Sequence, residues 1–579
     1  MADSDNLPVR MSVRELMKEE NSSKRNSLLR AWKRISELPP ENPNSFYQIA
    51  GFHGEPFVKS QVESIPEGDP YWGGYCQHQN VLFPFWHRLY LLRLEQALQT
   101  VDPDAMIPYW DQTSQESLEN GVPKLLTDEM VEIDGKQVEN PLKSFVLKKA
   151  LAGDNSKPVD YETVRYPYAG LSGPDDIDNT NKHNDKVNES MIADETTPTC
   201  QLNQQICWWL QKSGTELYGE KRDAEYGIEA SYKQCLQSPN YNEFSNTSTS
   251  KVYLKGYDMV SLEYPHNWMH LAVGGASFKL GYNYPGFMNG ASGDMMFNET
   301  AGFDPIFYFH HCNIDRLLWV WQKQHGMTDE LEINDYQDDP GVIPIKGQGP
   351  TPYQHSSQDP KISGLTLDTP LHPFQQLNGL PNTSRNAINI EKQLKYKYSK
   401  GSLDEDRQRQ ANIKYVLKEQ EGREAENEFL DDLTEEKANM QITSFLSRRK
   451  VFQASRRIIP SYVFVDTVVT VSNINKDDYA GSFVVHLYWN SPTDGKIQIG
   501  TDVFLNRINR KVCGNCQQRP NFVTASFNIT KYGMDIEKED LSLKIDSYGP
   551  SGAQGVLGKE DVEGMEISIY RVYKPTSIL

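Results

Sequence analysis

Apolar positions recur with helical spacing in the part of the chain before about residue 400. The run FPFWHRLYLLRLEQAL begins at Phe83 and shows strong helical periodicity, and Pro84 suits the first turn of a helix. A second helix is predicted to start at Asp304, whose side chain can cap it, with Pro305 at the first helical position. That helix continues into the stripe LLWVW, which is typical of a buried core. The pattern therefore predicts a mainly α N-terminal domain.

From Tyr462 onward the pattern changes to one typical of strands. The segments YVFVDTVVTV, SFVVHLYWN and NFVTASFNIT are rich in β-branched and aromatic residues, and Gly, Asn and Asp separate them. They predict an all-β C-terminal domain of sandwich type. The stretch between the two regions is rich in charged residues, above all at Glu419–Glu428 and Asp431–Lys437, and contains two basic clusters, as in an exposed connector that proteases can cut. The predicted division is a domain at 1–398, a linker at 399–457 and a domain at 458–579.

A long polar stretch interrupts the helical region. Residues 154–250 are rich in Asn, Asp, Lys and Ser, with one predicted helix around Gln201–Lys212. Compact domains seldom carry such excursions unless they surround a functional site. The stretch is therefore interpreted as an insertion beside a pocket.

Composition excludes several classes of partner. The chain has 579 residues with 59 Lys and Arg against 79 Asp and Glu, a net charge of −20. Such an acidic surface argues against nucleic acid and against anionic membranes as the main partner. The sequence has no apolar run long enough to span a bilayer, and its polar N-terminus has no secretory signal, so a cytoplasmic location is expected. Seven scattered cysteines do not form a disulfide framework, and the oligomeric state stays open.

Six of the 12 histidines form two separated sets whose context suits metal binding. His53 follows an apparent helix end, His78 lies in a loop, and His87 lies near the start of the first predicted helix. His266 and His270 have the i, i+4 spacing that places two imidazoles on one face of a helix. The second set is completed from the helix that follows Pro305, where His310 and His311 are adjacent. Only one of these two can point at a metal, because adjacent helical residues diverge by about 100°.

The chemistry of the donors leaves the metal undecided. Neutral imidazole suits copper, zinc, iron and nickel. Three nitrogen ligands leave an open coordination position, as catalytic sites require. No carboxylate has ligand-like spacing with these histidines, which disfavours a two-histidine, one-carboxylate iron site. The residues alone thus predict a dinuclear, nitrogen-ligated metalloenzyme.

These motifs resemble those of the type 3 copper family of tyrosinases, catechol oxidases and molluscan-type haemocyanins. HNWMH and FDPIFYFHHCNIDRLLWVWQ resemble the family's second copper site, and Phe85–Glu95 resembles the first. The resemblance implies a four-helix bundle around two copper ions, with dioxygen as co-substrate. It implies that copper A is held by His53, His78 and His87, and copper B by His266, His270 and His311. His311 is preferred to His310 because the family uses the second histidine of the pair.

Further residues take expected roles from the same resemblance. Cys76, two residues before His78, resembles the cysteine that fungal members join to the histidine through a thioether. Phe307 matches an aromatic residue beside copper B. Glu263 and Asn267 match a pair that holds a water, which can remove the proton of an incoming phenol.

The C-terminal domain resembles the cap of fungal pro-tyrosinases. Tyr396-x-Tyr398 resembles the motif that closes the family's catalytic domain. Phe504 matches the aromatic placeholder that plugs the copper pocket. Cys513 and Cys516 match a pair thought to deliver copper, although by chemistry alone a CxxC motif could equally be a redox pair or half of a zinc site.

The predicted function is the ortho-hydroxylation of small monophenols and the oxidation of o-diphenols to o-quinones by a latent proenzyme. Glu263 with Asn267 favours monophenol hydroxylation over the rival activity, a catechol oxidase limited to diphenols. A relative that uses zinc for non-redox chemistry stays open, because imidazole ligands also suit zinc. A haemocyanin-like oxygen carrier is disfavoured, because carriers are usually extracellular chains with several units.

Overall fold

The computed structural model describes most of both predicted domains. The described residues are 6–54, 74–151, 155–171, 177–210, 216–217, 220–221, 227–238, 240–249, 260–275, 292–333, 364–404, 415–418, 462–493, 495–508, 521–532, 536–547, 554–557 and 564–575. Cys513 and Cys516 lie outside them, as does most of the predicted linker.

Helices dominate the N-terminal region, and strands dominate the C-terminal one, as predicted. The α-helices are α1 (Val13–Leu16), α2 (Ser22–Glu37), α3 (Phe46–Ala50), α4 (Phe83–Gln99), α5 (Gln115–Asn120), α6 (Ile177–Ala193), α7 (Pro198–Leu210), α8 (Ile228–Cys235), α9 (Tyr241–Ser245), α10 (Glu263–Gly274) and α11 (Ile306–Gln324). The short strands of this region are β1 (Val9–Arg10), β2 (Met130–Ile133), β3 (Lys136–Glu139), β4 (Glu216–Leu217), β5 (Glu220–Lys221), β6 (Pro370–Gln375), β7 (Pro381–Thr383) and β8 (Lys397–Tyr398). The C-terminal strands are β9 (Tyr415–Lys418), β10 (Tyr462–Asn475), β11 (Phe483–Ser491), β12 (Gly495–Phe504), β13 (Phe522–Asn528), β14 (Leu541–Ser547), β15 (Gln554–Leu557) and β16 (Glu566–Pro575).

The core of the helical domain is built on α4 and α11, which pack on each other. Helix α4 also packs on α2, and α11 also packs on α10. Every residue of α11 from Ile306 to Gln322 is buried, so this helix is central and not amphipathic. The three helices α4, α10 and α11 carry four of the six predicted metal ligands.

The start of α11 differs by one residue from the prediction. The helix begins at Ile306, and Pro305 occupies the cap position. Asp304 still acts as predicted, because its Oδ1 accepts a hydrogen bond from the Ile306 N–H at 3.1 Å. Helix α7 confirms the helix predicted around Gln201–Lys212, and it begins three residues earlier, at Pro198.

The C-terminal domain is a sandwich of two four-stranded antiparallel sheets. One sheet has the order β13-β10-β16-β9 and the other the order β12-β11-β14-β15. Strand β9 lies inside the stretch predicted as a linker, and it pairs with β16 at the sheet edge. Its sequence YVLK supplies β-branched and aromatic residues, so the four residues suit a strand although charged sequence surrounds them.

Residues of the sandwich also contribute to the core of the helical domain. Along β11, Phe483, Val485 and Leu487 point into the sandwich. Val484 points to the other face, and with its β12 partner Val503 it joins the core of the helical domain. The two domains therefore share one buried interface. None of the helices in the described ranges combines the length and apolar character needed to cross a bilayer.

Candidate dinuclear metal centre

The first group of histidines comes from three separate parts of the helical domain. His53 follows α3, His78 lies in the loop before α4, and His87 lies in the first turns of α4. One ring nitrogen from each lies within 4.8 Å of the others, and all three side chains are buried. The structure thus brings together the three residues predicted for the first site.

Hydrogen bonds to backbone carbonyls orient two of these rings. His53 Nδ1 donates to the carbonyl of Asn298 at 2.9 Å, and His87 Nδ1 donates to the carbonyl of Phe83 at 2.8 Å. A carbonyl can only accept, so both rings carry their proton on Nδ1 and present a lone pair at Nε2. Both Nε2 atoms are buried and have no hydrogen-bond partner in the described structure. Metal-binding histidines are held in the same way by carbonyls at the distal nitrogen.

The second group lies on two helices that face each other. His266 and His270 lie one turn apart on α10, and His311 projects from α11. The Nε2 atom of His311 lies 3.2 Å from that of His266 and 3.4 Å from that of His270. Three nitrogens that share one ion at ordinary bond lengths are about 3.3 Å apart, so this spacing matches a ligand set.

The two α10 histidines are also oriented through Nδ1. His270 Nδ1 donates to the carbonyl of Met295 at 3.0 Å. His266 Nδ1 lies 2.9 Å from Oδ1 of Asn267. Burial lowers the pKa of His270 to about 4 and that of His87 to about 3, so these imidazoles are neutral at physiological pH. Neutral rings with inward Nε2 lone pairs are the form that binds a metal.

The hydrogen bonds of His310 separate it from its neighbour His311. The amide of Gln112 donates to His310 Nδ1 at 3.0 Å, and the Gln112 carbonyl oxygen accepts from the Tyr232 hydroxyl at 2.6 Å. His310 Nδ1 is therefore an acceptor, and the proton of the neutral ring lies on Nε2. Although His310 lies within reach of the second group, this tautomer offers no lone pair at Nε2.

The two groups face each other closely enough for a dinuclear centre. The rings of His87 and His311 stack with centroids 4.4 Å apart and an interplanar angle of 17°. Phe307 stacks on His311 at 4.0 Å and meets His53 edge-on at 4.8 Å. Phe83, which the sequence reasoning missed as a site residue, lies 4.8 Å from both His87 and His266. Phenylalanines from α4 and α11 thus enclose the histidines in an apolar surround.

Glu263 and Asn267 both lie at the site, one turn apart on α10. Both oxygens of the buried Glu263 carboxylate accept hydrogen bonds: Oε1 from the Gln79 N–H at 2.7 Å, and Oε2 from the N–H and hydroxyl of Thr247 at 2.9 and 3.1 Å. Gln79 directly follows His78, so the carboxylate joins the loop of the first group to the helix of the second. These contacts show a positioning role, and the predicted role of holding a water with Asn267 stays a prediction.

Residues from the predicted insertion support the site. Arg165 forms a buried bidentate ion pair with Asp304, at the start of α11. Tyr161 donates to the carboxylate of Asp294 at 2.6 Å, and Lys157 lies 3.5 Å from the same carboxylate. The Asp294–Met296 turn contains Met295, whose carbonyl orients His270. The described part of this stretch therefore holds the segment beside the histidines.

The remaining predicted site residues lie in different surroundings. Cys76 is buried, and its sulfur accepts from the Asn298 amide at 3.6 Å; the thioether to His78 stays a prediction. The Phe504 ring lies in the core of the sandwich and stacks on Phe483 at 5.0 Å. This placement does not support the expected placeholder role, because strand alternation turns Phe504 inward and Val503 outward, toward the helical domain.

The sequence alone could not reveal which backbone carbonyls accept hydrogen bonds from His53 and His270. Asn298 is 245 residues from His53 and Met295 is 25 residues from His270, and no side-chain pattern marks either carbonyl. The carbonyl partner of His87 was accessible, because it is the residue four positions earlier in the same helix.

Comparison with known proteins gives a consistent result. Residues 43–324 match the family model described as the common central domain of tyrosinase. Tyrosinase HcTyr2 of Hahella sp. (strain CCB-MM4) is 44% identical over 428 residues, which are 70% of this chain and 75% of that protein. Tyrosinase of Aspergillus oryzae is 34% identical over 586 residues, which are 94% of each chain. The structure of tyrosinase from Burkholderia thailandensis at low pH superposes with a TM-score of 0.71 and 35% identity, over 97% of this chain and 99% of that one.

Proposed function

This chain belongs to the tyrosinase family, and we propose that its two histidine groups bind a pair of copper ions for the oxidation of phenols by dioxygen. The observation that carries the proposal is the convergence of two facing sets of buried, neutral imidazoles. The proposed ligands of copper A are His53, His78 and His87, and those of copper B are His266, His270 and His311. His310 is left out, because its proton lies on Nε2.

The bound ions would supply the electrons that reduce dioxygen, and the protein would supply the geometry. The donors are held before the metal arrives, because each Nδ1–H of His53, His87 and His270 is fixed by a backbone carbonyl. Phe83 and Phe307 limit the access of water and offer flat apolar faces to an aromatic ring. Asn267 and Glu263 are proposed to orient a water that takes the phenol proton, which favours monophenol hydroxylation over the oxidation of diphenols alone.

Metal loading tests this function. The chain loaded with copper should bind about two ions per molecule. After cleavage within residues 399–457 it should oxidise both a monophenol and the corresponding o-diphenol with uptake of dioxygen. The zinc-loaded chain is the matched control and should oxidise neither substrate, because zinc has no redox chemistry. Oxidation of the diphenol alone would indicate a catechol oxidase. A copper-loaded chain that still oxidises neither substrate after cleavage within residues 399–457 would contradict the proposal.

The C-terminal domain is proposed to keep the enzyme latent. It touches the loops beside both histidine groups: Lys476 donates to the Gln79 side chain at 3.1 Å, and the Ser482 hydroxyl donates to the Met296 carbonyl at 2.9 Å. Gln79 follows His78, and Met296 follows the residue that orients His270. A domain seated on these loops would restrict the entry of a phenol.

Cleavage within residues 399–457 tests this latency. Enzyme that is loaded with copper first, and then cleaved and dissociated, should oxidise a diphenol at least about tenfold faster than the intact chain, since an obstructed site lowers the population of open molecules. Phe504→Gly is the comparison variant, and it should activate less than cleavage does, because the ring lies inside the sandwich. Equal rates before and after cleavage would show that the domain does not restrict the site.

A further inference from the structure

One short segment of backbone orients a histidine in each of the two groups. The carbonyl of Asn298 accepts from Nδ1 of His53, and the carbonyl of Met295 accepts from Nδ1 of His270. The two carbonyls are three residues apart, so a shift of this segment would misalign a ligand at both sites together. Residues 294–299, which contain both carbonyls and are called the 294–299 segment below, thus link the two metal positions.

This segment packs tightly against the elements that carry the two histidines. A Cβ atom on Gly54, next to His53, would lie 2.5 Å from the Glu299 carbonyl oxygen. A Cβ atom on Gly274, at the end of α10, would lie 2.7 Å from the Met296 nitrogen. Backbone therefore meets backbone on both sides, and small displacements of the segment are transmitted to both histidines.

The C-terminal domain holds the same segment through a buried ion pair. The Glu299 carboxylate is fully buried, and its Oε1 lies 3.3 Å from Nε of Arg507, which is itself 97% buried. The same oxygen accepts a hydrogen bond from the Ile508 N–H at 3.1 Å. A buried carboxylate that loses its cation is strongly destabilised, so Glu299 favours the position in which it meets Arg507.

We propose that Glu299 and Arg507 are positioning residues, through which the C-terminal domain aligns one histidine of each group for metal binding. The inference rests on the proposed metal centre. It gives the C-terminal domain a role in building the site, which differs from blocking access to it. The proposed action of Arg507 runs through Glu299 and the two carbonyls.

This proposal is tested by the copper(I) affinity of the full-length chain, measured by competition with a chromogenic chelator. Arg507→Met should weaken binding of both ions by about 10- to 100-fold, the usual effect of removing a group that orients a ligand. Glu299→Gln should act in the same direction, and it keeps a side-chain oxygen for the Ile508 N–H, so the fold has less to lose. Arg507→Lys restores the positive charge and should recover most of the affinity.

The control and the unfolding temperature separate alignment from stability. Arg385→Met breaks the exposed Arg385–Asp368 pair and should leave copper affinity unchanged. If the folded variants Arg507→Met and Glu299→Gln bind both ions as tightly as the parent chain, the proposed positioning role is refuted, even if their unfolding temperatures fall. If the affinity falls for only one of the two copper ions, the claim that one segment aligns a ligand of both sites is refuted. If Arg507→Met does not fold, the copper affinity of Glu299→Gln decides whether the proposal holds. A parent chain that binds no copper would instead overturn the proposed function.

Discussion

Replacing His311 with alanine is expected to abolish phenol oxidation, whereas the same replacement at the adjacent His310 is expected to leave it measurable. His311 Nε2 lies at the meeting point of the second group, 3.2 and 3.4 Å from its two partners. His311→Ala should therefore lose the second ion, retain about one ion per chain and lower kcat/KM by more than about 10³-fold, because dioxygen activation needs both ions. His310→Ala removes only a ring that supports its neighbours, and should cost about 10- to 100-fold with both ions retained.

This pair of variants is well matched, because the substitutions have the same size and lie side by side on one buried helix. Copper content is measured on each folded full-length protein, and diphenol oxidation is measured after cleavage within residues 399–457. The opposite result, in which His310→Ala loses an ion and His311→Ala keeps two, would reverse the ligand assignment. It would also show that the Gln112 amide does not set the tautomer of His310.

The sequence predicted those parts of the site that depend on local periodicity. The i, i+4 spacing of His266 and His270 required only that the segment be helical, and α10 is helical there. The β-branched and aromatic residues of YVFVDTVVTV and its companion segments predicted the sandwich, because such residues suit half-buried strands. The choice of His311 over His310 came from the family resemblance, and the hydrogen bonds of His310 now give a physical reason for it.

Features that depend on contacts between distant segments could not be predicted. The carbonyl partners of His53 and His270 carry no side-chain signature. The inward orientation of Phe504 depends on the register of β12 against β11, which places it opposite Phe483. A one-residue change in that register would turn the ring to the other face, so the sequence position of an aromatic residue does not determine which domain it packs against.

A buried charge network behind the histidines predicts the largest effect on stability. Asp315, one turn after His311 on α11, forms ion pairs with Arg88 and Arg10. The hydroxyls of Tyr396 and Tyr398 both donate to its Oδ2, at 2.7 and 2.6 Å. Burial by itself would raise the pKa of Asp315, but the two guanidinium groups outweigh it and hold the pKa below the ordinary value. Asp315 is therefore ionised at neutral pH, and it anchors the N-terminus, α4 and the end of the helical domain to α11.

Asp315→Asn is expected to lower the free energy of unfolding of the metal-free chain by about 3–5 kcal/mol, because two buried guanidinium groups lose their shared counter-charge. Asp368→Asn, at the exposed Arg385–Asp368 pair, is the matched control and should change it by at most about 1 kcal/mol. Since the pKa of Asp315 is depressed in the folded chain, the ionised carboxylate adds to the free energy of unfolding at neutral pH. This stabilisation is lost as the pH falls through the depressed pKa. The two chains should therefore differ most near neutrality and converge in acid, as measured by denaturant unfolding across pH. A difference that is small at neutral pH would mean that Glu95, which also pairs with Arg10, carries the balance of charge.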